Sequence, residues 1–201
     1  MKNIIAFFAF TLLLTNFTNA QSQEYSFMES FEVKAPSDLS IISRNSDVEV
    51  ISHSGDNIEV YYTVLQNGQL VYTSKDKLAK LMKRQAKLEI NKTDNDLRIV
   101  VRSLSQTGYV NPVKGYVINF RILVPATTTC ELISSEGHLS ISGLTPNQKC
   151  ITREGDIKLA DIKGNVIAKT KAGDIYIDNI DGRVASETTD GSVVNSAQVT
   201  R

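Results

Sequence analysis

"GDIKLADIKGNVIAKTKAGDIYIDNIDGRVASETTDGSV", residues 155–193, decides the fold. Its glycines divide it into units of equal length. Gly137, Gly155, Gly173 and Gly191 stand 18 residues apart with no gap. Apolar slots keep the same step. Leu139, Ile157, Ile175 and Val193 form one column, and Ile141, Leu159 and Ile177 a second. Leu144, Ile162 and Ile180 form a third, Val166 and Val184 a fourth, and Cys150, Ala168 and Ser186 a small-residue column. Thr152, Thr170 and Thr188 close each unit.

Each unit holds two short runs of alternating apolar and polar residues, which is strand periodicity. A unit of 18 residues is too short for a helical-hairpin repeat. A strand-only unit of that size cannot bury its apolar face alone, whereas stacked units can. The expected class is all-β, a β-solenoid or β-helix-like chain with equivalent slots about 4.8 Å apart. Ile175 and Ile177 should point inward, each stabilising by roughly 1.5–3 kcal/mol when buried. Lys158 and Tyr176, between the core slots, should face water and form the candidate ligand face.

Residues upstream are strand-rich but less regular. "LSIISRNSDVEVIS" (39–52) and "DNIEVYYTV" (56–64) alternate, and "KLEINKTDNDLRIVVRS" (87–103) reads as a hairpin turning near Asp94-Asn95-Asp96. "GYVINFRILVP" (115–125) is a further strand. Leu78, Leu81, Met82 and Gln85 lie at helical spacing behind Ser74, a possible N-cap, so one short helix is expected over about 75–87. Residues 21–125 then form an irregular, β-rich N-terminal or capping part, and 126–201 the regular repeat part.

The chain has 201 residues, with 22 basic and 22 acidic side chains. Zero formal charge gives no global case for nucleic acid. Two His residues leave little for a His-based metal site. "MKNIIAFFAFTLLLTNFTNA" (1–20) reads as a signal peptide, with Lys2, an apolar run Ile4–Leu14 and small residues before a cut after Ala20. No Cys stands directly after the cut, and no second long apolar segment appears. The expected product is secreted, in the periplasm or at the cell surface.

Repeated "x-Gly-Asp-Ile-x-Ile-x-x-Ile-x-Gly-x-Val", preceded by "FRILVPATTTCELISSEGHLSISGL" (120–144), resembles the bacterial putative-adhesin domains. The resemblance covers about residues 30–201 and is closest from 118 onward. It implies a secreted or envelope-attached β-solenoid and supplies no catalytic residues.

Several constellations have a chemical reading beside a structural one. Asp156 and Asp174 share a slot and could ladder carboxylates for Ca²⁺. However, His138 and Ser192 hold the same slot, and Asp beside Gly is ordinary turn chemistry. Asp161, Asp178 and Asp181 could supply paired carboxylates for glycoside hydrolysis, yet the short units leave no room for loops that build a cleft. Lys75, Lys77, Lys80, Lys83, Arg84 and Lys87 could meet an anionic surface, with a solvated face the favoured reading. Cys130 and Cys150 fall on neighbouring units offset by two residues, about 8 Å apart in an ideal ladder. That exceeds the ~7 Å a disulfide spans, so two buried free thiols are favoured. His53 and His138 read as isolated, exposed strand or turn residues.

No cofactor, metal or catalytic set is expected. The best-supported reading is a non-enzymatic, adhesin-like binding or structural module, with a polysaccharide or cell-surface protein as partner. The alternatives are a carbohydrate-active enzyme and an envelope assembly or signalling partner docking through the C-terminal end.

Overall fold

The computed structural model describes residues 26–104 and 115–196. The expected signal peptide lies outside them. The chain runs through β1 (Phe27–Glu32), β2 (Ser37–Ile42), β3 (Val48–His53), β4 (Asn57–Gln66) and β5 (Gln69–Leu70) to the helix α1 (Lys75–Met82). Next come β6 (Ala86–Thr93), β7 (Asp96–Ser103) and β8 (Tyr116–Pro125). Short strands follow in quick succession: β9 (Thr128–Ile133), β10 (Leu139–Ser142), β11 (Gln148–Ile151), β12 (Ile157–Ile162), β13 (Val166–Ala172), β14 (Ile175–Ile180), β15 (Val184–Asp190) and β16 (Val193–Ser196).

These strands form two open sheets. The first has the order β1-β4-β8-β3-β10-β12-β14-β16, with β5 on β4, and the second the order β15-β13-β11-β9-β2-β7-β6. From β8 to β16 and from β7 to β15 every pairing is parallel, while β1, β4, β5 and β6 pair antiparallel. The antiparallel strands thus gather at one end of the body, with β4 flanking β8 and β6 flanking β7.

The registers carry the sequence columns into space. Leu139 pairs with Ile157, Ile157 with Ile175, and Ile175 with Val193. In the second sheet Cys150 pairs with Ala168 and Ala168 with Ser186. Alternate residues of both sheets point into one shared core that includes Leu39, Ile41, Val48, Val50, Leu132, Leu139, Ile157 and Ile175. Parallel strands need a fixed register here, because a one-residue slip would turn every Ile to water. The last unit differs. Val193 is 46% exposed where Ile175 is 0%, and Asn195 and Ser186 stand where Ile177 and Ala168 stood one unit earlier.

Residues of the irregular part also enter this stack. β2 lies between β7 and β9, and β3 between β8 and β10. Leu39 pairs with Cys130, and Val48 with Leu139. The chain lays down one unit with β2 and β3 and departs to build β4–β6. It then adds β7 and β8 on one side and returns with β9 and β10 on the other.

The helix is shorter than expected. Ser74 caps it, its hydroxyl accepting from the Lys77 N–H at 3.4 Å, but it ends at Met82 rather than near residue 87. The Gln85 N–H turns back to the Met82 carbonyl at 2.7 Å. From Ala86 the chain is β6, because Leu88 and Ile90 pair with Val101 and Ile99. Pairing along β7 overrides the helical pattern of this stretch. Leu78 and Met82, one turn apart, are the buried contacts of α1. No helix among the described residues is long and apolar enough to cross a membrane.

Candidate functional site

The corner before the repeated Ile carries a continuous ladder. Asn119 Oδ1 accepts from the Asp47 N–H at 3.0 Å, and Asp47 Oδ1 from the His138 N–H at 2.8 Å. His138 Nδ1 accepts from the Asp156 N–H at 3.0 Å, and Asp156 Oδ1 from the Asp174 N–H at 2.9 Å. Asp174 Oδ1 accepts from the Ser192 N–H at 2.8 Å. Each acceptor satisfies a backbone donor that the corner leaves outside the strand ladder. His138 belongs to this series and is not isolated. The same Nδ1 lies 3.6 Å from Asp156 Oδ2.

A second corner repeats the device. Asn147 Oδ1 accepts from the Asn165 N–H, and Asn165 Oδ1 from the Arg183 N–H, both at 2.9 Å. The recurrence of Asn at an 18-residue step is the sequence signal for this ladder.

Beside the first ladder lies a row of outward side chains on the first sheet. Neighbouring strands place Tyr61, Arg121, Glu49, Ser140, Lys158 and Tyr176 side by side in that order. Arg121 Nε is 3.5 Å from Glu49 Oε2. Lys158 Nζ lies 5.6 Å from the centre of the Tyr176 ring, within cation–π range. The Tyr176 hydroxyl donates to Asp174 Oδ2 at 3.1 Å, and that hydrogen bond to a carboxylate pushes its phenol above the usual range. Ser140 is the smallest member of the row. Over it opens a groove of about 410 Å³, lined by Arg121, Glu49, Ser140 and Lys158 of the row on one side and by Asn119, Asp47, His138 and Asp156 on the other.

The other candidates do not join this groove. Asp161, Asp178 and Asp181 are all exposed. Asp161 has φ 54° and accepts from Asn179 Nδ2 at 2.6 Å. Asn179 itself has φ 49° and Gly143 φ 76°, so one left-handed slot recurs in three units. The basic cluster is split between elements. Lys75 on α1 pairs with Glu29 at 2.8 Å, whereas Lys87 on β6 pairs with Glu89 at 2.6 Å. His53 Nε2 lies 2.7 Å from the Asn57 carbonyl and is half-buried, so it is not a freely exposed strand residue. Cys130 and Cys150 are buried, free thiols on β9 and β11, with Cys130 opposite Gln148 and Cys150 opposite Leu132. Burial pushes both thiols well above the ordinary range. Among the described residues, no group of three or more His, Cys, Asp or Glu is placed to hold a metal ion.

No family model matches this chain, and no curated protein matches it. Among solved structures, it is similar to a putative cell adhesion protein from Clostridium sporogenes. The two share 10% identity and a TM-score of 0.53, over 84% of this chain and 98% of that one. What they share is the fold. It is also similar to a putative adhesin from Bacteroides fragilis (13% identity, TM-score 0.36, 87% of this chain and 98% of that one). A putative adhesin from Parabacteroides distasonis matches at 12% identity and a TM-score of 0.25, over 85% of this chain and 97% of that one.

Proposed function

We propose that this chain is a secreted or cell-surface, non-enzymatic binding module with an adhesin-like role, built as a β-solenoid of 18-residue units. The parallel registers, each pairing residues one unit apart, support the solenoid. The fold shared with the putative cell adhesion protein from Clostridium sporogenes supports the role.

One observation carries the reading. The corner Asp, Asn and Thr side chains are engaged in stitching one unit to the next. In the outward row of the first sheet, Lys158 and Tyr176 are exposed to solvent. A face that leaves long polar and aromatic side chains on a rigid sheet is suited to binding.

Labelled chain starting at Gln21 should bind intact bacterial cells saturably. The double variant Lys158→Glu, Tyr176→Ala should lose at least tenfold in affinity while keeping its melting temperature. The absence of saturable binding, or equal binding by the variant, sinks the reading.

A further inference from the structure

The groove over Ser140 has a periodicity of its own. Its lining comes from β4, β8, β3, β10 and β12, five adjacent strands of the first sheet. It therefore runs across the strands for four strand steps, about 19 Å at ~4.8 Å per step. On β8, β3, β10 and β12 each step offers one residue from the ladder and one from the outward row, while β4 contributes Thr63.

We infer that this groove seats a linear, uncharged, β-1,4-linked polysaccharide lying along the stack, one sugar to each strand. This deepens the binding-module reading and rests on it.

Three observations select that occupant. The first is spacing. A β-1,4-linked pyranose chain advances by about one strand spacing per sugar and turns over at each step, so like hydroxyls return at every second strand, the step that separates Asp47 from Asp156. An extended peptide advances only ~3.3 Å per residue and drifts out of phase. The second is charge. Asp47, Glu49 and Asp156 line the groove together with Arg121 and Lys158, three carboxylates against two cations. Glu49 and Arg121 already pair, so the remaining excess is negative and repels polyanions, nucleic acids included.

The third is hydrogen-bonding capacity. Asp47 and Asp156 each use Oδ1 in the corner ladder. Their Oδ2 atoms can accept from sugar hydroxyls, while Lys158 and Arg121 are donors toward sugar oxygens. Ser140, the small residue between Glu49 and Lys158, leaves the floor open.

The test is affinity electrophoresis of the chain from Gln21 through gels holding hydroxyethyl cellulose, glucomannan or alginate. Calorimetric titration with cello-oligosaccharides of two to six units accompanies it. Retardation by the first two polymers and not by alginate is expected. Affinity should rise up to four or five sugars and then level off. Ser140→Tyr fills the groove from an outward position and should weaken binding at least tenfold with the melting temperature kept. Failure of both neutral polymers to retard the chain, stronger retardation by alginate, or unchanged binding by Ser140→Tyr overturns the proposal. Cell binding that persists under any of these outcomes leaves the binding-module reading standing and removes only the groove.

Discussion

The N–H of Asp174 donates to Oδ1 of Asp156 at 2.9 Å, and the two residues are 18 positions apart in the chain. The carboxylate of one unit therefore holds the corner of the next. This is the work of the repeated Gly-Asp, and it needs only an acceptor atom. Asp156→Asn keeps such an atom and should leave stability within about 0.5 kcal/mol. Asp156→Ala removes it and should cost about 1 kcal/mol. Urea denaturation of the three proteins separates the two outcomes.

The glycine of the same corner is fixed by contact as well as conformation. Gly155 has φ +128°, and an added Cβ would lie 2.3 Å from the Gly137 carbonyl oxygen. Gly155→Ala should cost about 3 kcal/mol or more, combining backbone strain with a clash against main chain that cannot rotate away. Gly68 is the control. It has φ +78° and nothing within 4 Å of an added Cβ. Gly68→Ala carries only the left-handed penalty, about 1–2 kcal/mol. Thermal melts should rank the two variants in that order.

The two thiols should be silent in the native state. Cys130 and Cys150 are 1% and 0% exposed. A thiol reagent should label neither until denaturant is added, and then both without reductant. Because burial raises both thiols in the folded state, the unfolded chain loses these protons first as pH rises. The thiols' contribution to stability is full below the ordinary thiol range, about 8.5, and falls above it. Cys130→Ala, Cys150→Ala should flatten this alkaline loss; an unchanged slope would refute it.

One column shows how position in the stack sets tolerance. Ile141, Leu159, Ile177 and Asn195 occupy successive copies of one slot. Leu159 is 1% exposed. Leu159→Asn loses a buried side chain and leaves an amide without a partner, a cost of about 3–5 kcal/mol. Asn195 is exposed, and Asn195→Ala should stay within about 0.5 kcal/mol. Denaturant midpoints test the contrast.

Much of the fold was legible because identical slots meet identical slots. The step from Leu139 to Ile157 to Ile175 is a spacing in sequence and also a pairing in space. Lys158 and Tyr176 could be placed together on the same ground. The ladder role of His138 was not legible, because its partner Asp47 lies 91 residues away. Ser46 also hid that unit, standing in the corner beside Gly137 where later units have glycine. The end of α1 was misjudged for a related reason. The spacing that joins Leu78 and Met82 extends through Gln85 along the sequence, whereas in space the Gln85 N–H turns back to the Met82 carbonyl and β6 begins pairing with β7 at Ala86.

The sequence by itself determined the repeat, the inward columns and the polar corners, because each depends on side chains recurring at one fixed step. The tertiary structure alone decided that β2 and β3 sit inside the stack and that Arg121 and Glu49 stand beside Ser140 and Lys158. No periodicity relates those segments along the chain. They meet because two sheets with apolar inner faces must cover a common core, and strand edges left within it must find backbone partners.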